Sequence, residues 1–158
     1  MNRSLMLGCM LAAHVALAHA APQVTLQNAW MRPAPEGAGI ARVYVDIKSD
    51  ANVTLEGAST PIAKKVEIVR VKTIGDPSTE TVVAKLAVPF GTTTRLAYLG
   101  DHLRLVNVKH TVTNGSPVPL KLRFVDAKGK RFDVAADVLV RGILLVPQEA
   151  DAASAKRN

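Results

Sequence analysis

The chain is short of cysteine and of aromatic residues, and past its first twenty residues it has no long apolar run. The one cysteine, Cys9, lies inside the leading apolar segment, so no disulfide can staple the remainder and stability must come from a packed core. Six aromatic residues in 158, without any nucleic-acid recognition motif, argue against a nucleic-acid partner. No later stretch approaches the roughly 20 apolar residues of a spanning helix, which argues against a transmembrane anchor. No nucleophile–base–acid set, paired carboxylates or phosphate loop is visible, so the chain does not read as an enzyme.

What is present begins with a targeting segment. Arg3 supplies a positive start, "LMLGCMLAAHVALA" an apolar stretch, and Ala18-His19-Ala20 a small-residue cleavage site. Residues 1–20 read as a secretory signal peptide cleaved after Ala20, which places the product in the periplasm. A lipoprotein reading through Leu7-Gly8-Cys9 has only a few apolar residues before its cysteine. Removal of 1–20 leaves 138 residues, one domain's worth, with no cysteine, one methionine (Met31) and two histidines (His102 and His110). Losing only Arg3 from the formal +7 leaves +6. That balance suits an acidic protein surface or an anionic membrane, or simply solubility.

Two-residue alternation fills the remaining chain. "ARVYVDIK" sets Val43, Val45 and Ile47 against Arg42, Tyr44, Asp46 and Lys48, and "LKLRFV" sets Leu120, Leu122 and Phe124 against Lys121, Arg123 and Val125. Short alternating runs between turn residues predict an all-β antiparallel Greek-key barrel or sandwich of about eight or nine strands. The strands fall at 24–32, 41–48, 53–58, 65–72, 80–88, 94–98, 102–109, 119–126 and 131–140. "SDAN" (49–52) and "DAKGK" (126–130) read as hairpin turns. The domain spans 21–146, and 147–158 reads as a disordered polar tail.

Residues 29–68, "AWMRPAPEGAGIARVYVDIKSDANVTLEGASTPIAKKVEI", and 86–108, "LAVPFGTTTRLAYLGDHLRLVNV", resemble the PCu(A)C family of periplasmic copper chaperones. The shared features are an Ala-Trp-x-Arg strand, a Pro/Gly loop, a tyrosine-bearing strand, a Gly-Ala-Ser-x-Pro-x-Ala segment and a His-hydrophobic-x-hydrophobic strand. The resemblance implies a cupredoxin-like β-barrel, copper as cargo, and work beside Sco-type proteins in cytochrome c oxidase assembly. The family's metal motif, His-x10-Met-x21-His-x-Met, falls on Val69, Glu80, His102 and Arg104, every interval kept and one ligand of four retained.

The replacements change the chemistry. Thioether and imidazole select soft Cu(I), whereas valine has no donor and carboxylate is hard. Arg104 cannot ligate and adds a positive charge. Two unit charges about 4 Å apart repel by roughly 4 kcal/mol at an effective dielectric of about 20. Tight Cu(I) binding is therefore not expected here, no resident cofactor is expected, and blue-copper redox chemistry lacks its cysteine. Glu80 is expected within reach of Arg104 as a replacement ion pair. His102 remains open to three readings: a structural remnant, a weak Zn(II) or Cu(II) ligand with Glu80 and His110, or a partner contact. Lys64, Lys65, Arg70, Lys72, Arg104 and Lys109 crowd the frame and would meet an acidic partner if they share a face. Trp30 reads as core, and "RPAPEGAG" as a stiff connector or a recognition loop.

Overall fold

The computed structural model describes residues 21–72 and 79–142; the signal-peptide segment and the polar tail expected at 147–158 lie outside the described residues. Among the described residues ten strands follow one another: β1 (Val24–Met31), β2 (Ile40–Ser49), β3 (Val53–Ser59), β4 (Ala63–Lys72), β5 (Thr79–Val83), β6 (Leu86–Val88), β7 (Thr94–Leu96), β8 (His102–Val108), β9 (Pro117–Asp126) and β10 (Arg131–Val140). The alternation located nearly all of them. The single run expected at 80–88 is two strands, since the chain leaves β5 after Val83 and rejoins the sheet elsewhere at Leu86.

The strands form one sheet in the order β5-β4-β8-β2-β1-β10-β9-β3-β6, with β7 also paired to β2. The sheet curls until β3 packs against β4 and β6 against β2, which makes a nearly closed barrel. Its interior is filled from alternating positions: Val43, Val45 and Ile47 of β2, Leu103 and Leu105 of β8, and Leu120, Leu122 and Phe124 of β9 are all buried. Met31 ends β1 fully buried in this core, so the one methionine after residue 20 has its sulfur turned away from the outer face.

Two expectations need correction. "SDAN" does not close a hairpin: β2 pairs with β1, β7 and β8, while β3 pairs with β6 and β9, so this turn carries the chain from one wall of the barrel to the other. The ladder is also not wholly antiparallel, because β1 and β10 run parallel at Trp30–Leu139 and Met31–Val140. "DAKGK" does turn a hairpin between β9 and β10. Gly129 takes a φ of 81°, and the Asp126 carboxylate accepts the backbone N–H of Lys128 (2.9 Å) and Lys130 (2.8 Å).

On the outer wall of β3, β9 and β10, carboxylates tie strands together. Glu56 accepts from Lys85 Nζ (2.7 Å) and Arg131 Nε (2.8 Å), and Asp133 accepts from Arg123 Nε across the hairpin (2.9 Å). Hydrogen bonds from Lys85 and then Arg131 hold the Glu56 carboxyl below its ordinary value, and the hydrogen bond from Arg123 does the same for Asp133. A carboxyl lowered in the folded state stabilises the fold above its unfolded pKa, and that contribution is lost as pH falls through the folded value.

Thermal melts followed from neutral pH into acid should therefore stay flat down to the ordinary carboxylate range and decline below it, with a shallower decline in a Glu56→Gln, Asp133→Asn double variant. Phe124, fully buried and stacked on Phe132 at 5.7 Å, should cost about 3–5 kcal/mol by chemical denaturation when replaced by alanine.

Candidate functional site

One antiparallel register assembles the site. Strands β4 and β8 pair so that Val69 lies opposite His102 and Glu67 opposite Arg104. The β4–β5 pairing sets Glu80 opposite Val71, and the β2–β8 pairing sets Arg42 opposite Arg104. Side chains two apart on a strand share a face. Val69, Glu80, His102 and Arg104 therefore meet on one outer face of the barrel, together with Glu67, Arg42 and Tyr44.

His102 is buried, and both ring nitrogens are engaged. Nδ1 lies 2.8 Å from the Gly100 carbonyl oxygen, which can only accept, so the proton resides on Nδ1. The Nε2 lone pair is then free to accept, and Arg42 Nε donates to it at 3.2 Å. The edge of the imidazole that would face a metal thus faces a guanidinium. Arg42 continues through Nη2 to Glu80 Oε1 at 3.1 Å.

Arg104 reaches Glu80 as expected, but its closer partner is another carboxylate. Its Nε and Nη2 both donate to Glu67 Oε2, at 2.9 and 2.8 Å, while its Nη1 is 3.7 Å from Glu80 Oε2. Glu67, rather than Glu80, is its main partner. Lys65 Nζ donates to the second oxygen of Glu67 at 2.8 Å, and hydrogen bonds from Lys65 and then Arg104 lower the Glu67 carboxyl. Lys65, Glu67, Arg104, Glu80 and Arg42 form a chain of alternating charge that ends on His102. Arg42 and Arg104 sit directly opposite on adjacent strands, a repulsive placement that the two glutamates offset.

The remaining expected residues are dispersed. His110 is exposed beyond the far end of β8, about 20 Å of strand from His102, so the two cannot share an ion. Among the described residues no three His, Cys, Asp or Glu side chains come within reach of a common metal. Of the basic residues, Lys65 and Arg104 are spent on Glu67, and Arg70 donates to Asp101 at 3.2 Å. Lys64, Lys72 and Lys109 are exposed, with Lys109 past the end of β8 and Lys64 and Lys72 eight residues apart on β4. They do not make one basic face with Arg104.

Trp30 is not core. It stands half-buried on the outer face beside Tyr44, with ring centroids 4.6 Å apart, and the Arg141 guanidinium lies 5.0 Å from its centre. Tyr44 is the buried member, and burial raises its hydroxyl pKa against the opposing pull of Arg42. The "RPAPEGAG" loop is a fixed wall. Ala34 and Val112 exchange backbone hydrogen bonds at 3.1 and 2.8 Å, and Gly37 N–H donates to Val108 O at 2.9 Å. Between this wall and the 97–101 turn lies a groove of about 650 Å³ whose lining includes Arg32, Arg42, Glu80 and His102 together with Tyr44 and Tyr98.

Sequence reasoning missed Arg42 and Glu67. Alternation had put Arg42 on the wet side of its strand, without a partner. Glu67 was recoverable: once Val69 is paired antiparallel with His102, the residue two before the first must face the residue two after the second.

The model of the family described as "Putative lipoprotein LpqE-like" matches residues 24–138. No curated protein sequence matches the chain. Among solved structures, the apo PCuAC domain from PmoF1 is similar, with a TM-score of 0.60 and 19% identity over 75% of this chain and 93% of that one. The copper-bound PCuAC domain from PmoF2 gives a TM-score of 0.56 and 19% identity, covering 78% and 97%. The Cu(I) form of DR1885 from Deinococcus radiodurans gives 0.55 and 25%, covering 84% and 85%. The ten-stranded barrel, the frame of four positions and the family match agree: the chain belongs to the LpqE-like family and carries a PCu(A)C-type domain.

Proposed function

We propose that this protein is an exported, non-enzymatic member of the copper-chaperone class in which an internal charge network takes the metal's place. Its part in copper supply for cytochrome c oxidase assembly, beside a Sco-type partner, is then indirect. The observation that carries this reading is the Arg42 Nε–H directed at His102 Nε2. A cuprous ion at that imidazole would have to displace one guanidinium and sit near a second, with no sulfur in reach to compensate. Each guanidinium about 4 Å away opposes a monovalent cation by roughly 4 kcal/mol at an effective dielectric of about 20, nearly a thousandfold in affinity.

The copper-bound forms of the similar PmoF2 and DR1885 structures support copper as the cargo of the wider class. In this chain a harder ion held by His102 and Glu80 is the weaker alternative, because Arg42 bridges those two side chains and would have to leave both. Export fits the lipoprotein description of the family, and processing after Ala20 remains our reading of the leader.

Anaerobic titration with Cu(I) against a competing chelator should show no submicromolar binding. A Val69→His, Glu80→Met, Arg104→Met triple variant, with Arg42→Ala added, should gain at least about a hundredfold. Tight binding by the unaltered protein would overturn the reading, as would Zn(II) binding abolished by His102→Ala. Intact-mass analysis of the exported protein should find an N-terminus at Ala21; a diacylated Cys9 would instead make it a lipoprotein.

A further inference from the structure

The outer face that carries the charge network also collects most of the exposed large apolar side chains of the described residues. Ile40, Tyr98 and Leu99 line the groove, and Val82 stands two residues from Glu80 on β5. Leu99 is the extreme case, 80% exposed. It also takes a φ of 67°, a left-handed conformation that a bulky side chain avoids and that clusters at ligand-contacting turns. The opposite wall is Pro33 and Pro35, held by the hydrogen bonds of the 32–39 loop. The groove is therefore apolar at both lips and stiff on one side.

Its charge is uneven. Among the described residues Glu80 is the one carboxylate of the lining, and it is already engaged by Arg42 and Arg104. Arg32 lines the groove with no ion pair among the described residues, and Arg141 lies nearby over Trp30, its backbone N–H bonded to the Met31 carbonyl at 2.9 Å. Neither guanidinium has a carboxylate partner among the described residues, and a fork of N–H donors pairs best with that group. The concavity suits an inserted side chain and does not suit a bilayer, which presents no protrusion to fill it.

We propose that this groove receives a short acidic segment of a partner protein, with an apolar side chain lodged between Leu99 and the proline wall and carboxylates on Arg32 and Arg141. The recognition surface is thus the groove, and not the scattered lysines of β4.

The test uses the ¹⁵N-labelled protein and a capped hexapeptide, Asp-Glu-Leu-Leu-Glu-Asp. Counterparts carry lysine for the acids or glycine for the leucines, and vesicles of phosphatidylglycerol are run alongside. The acidic peptide should shift amides in 32–42 and 98–102, and both counterparts should bind more weakly. Leu99→Gly and Arg32→Glu should each lower affinity at least about fivefold. Glycine relieves the left-handed backbone, so Leu99→Gly should melt no lower than the parent, which separates lost contact from lost fold. Arg32→Glu should strengthen binding of the lysine peptide. Equal shifts with the lysine peptide, shifts mapping elsewhere, or no shift at millimolar peptide would each overturn the proposal. So would vesicle binding that the acidic peptide does not compete away.

Discussion

The arrangement of the outer face follows from one constraint, the antiparallel register that sets Val69 of β4 against His102 of β8. A slip of one residue would send Ile68 and Leu103 out of the core and the charged residues into it, a cost no surface interaction could offset. Burial therefore enforces the register, and the register fixes which side chains meet outside. Glu67 faces Arg104 because Ile68 and Leu103 are inside. Arg42 reaches His102 because Val43 is buried on the next strand.

Within that frame the polar groups are few and mutually dependent. His102 is the only histidine buried among the described residues, and its ring is satisfied by a carbonyl on one side and a guanidinium on the other. The pairs around it differ in weight. Arg104 with Glu67 is mostly shielded, whereas Arg42 with Glu80 is nearly half exposed, and such exposed pairs contribute about 0–1 kcal/mol. The shielded pair holds β4 to β8, and the exposed one orients Arg42 over the imidazole. Around His102 the charges of Lys65, Glu67, Arg104, Glu80 and Arg42 largely neutralise one another.

Much of the architecture was legible in the chain because a half-buried strand advertises itself by alternation. Val43, Val45 and Ile47 are inside as read, and the β9–β10 hairpin is where Asp126 and Gly129 put it. What alternation cannot convey is which strands become neighbours. The crossing at "SDAN" and the parallel β1–β10 pair were invisible for that reason, since both depend on residues far apart in sequence. The spacing from Val69 to Arg104 located the shared face and the Arg104–Glu80 pair, but not the closer contacts on it. Arg104 lies on Glu67, and Arg42, which has no counterpart in the copper motif, took the place beside His102. Trp30 was placed inside by habit of composition, whereas its register with Tyr44 puts it outside.

The parallel seam between β1 and β10 has a bearing on how the chain reaches its final state. The first strand's second neighbour is the last strand, so one side of β1 stays open until nearly the whole domain has emerged. Pairings between such distant parts of a chain are slow to form. A polypeptide threaded outward from its N-terminus would thus remain pliable through most of its passage, and the barrel would shut only on arrival.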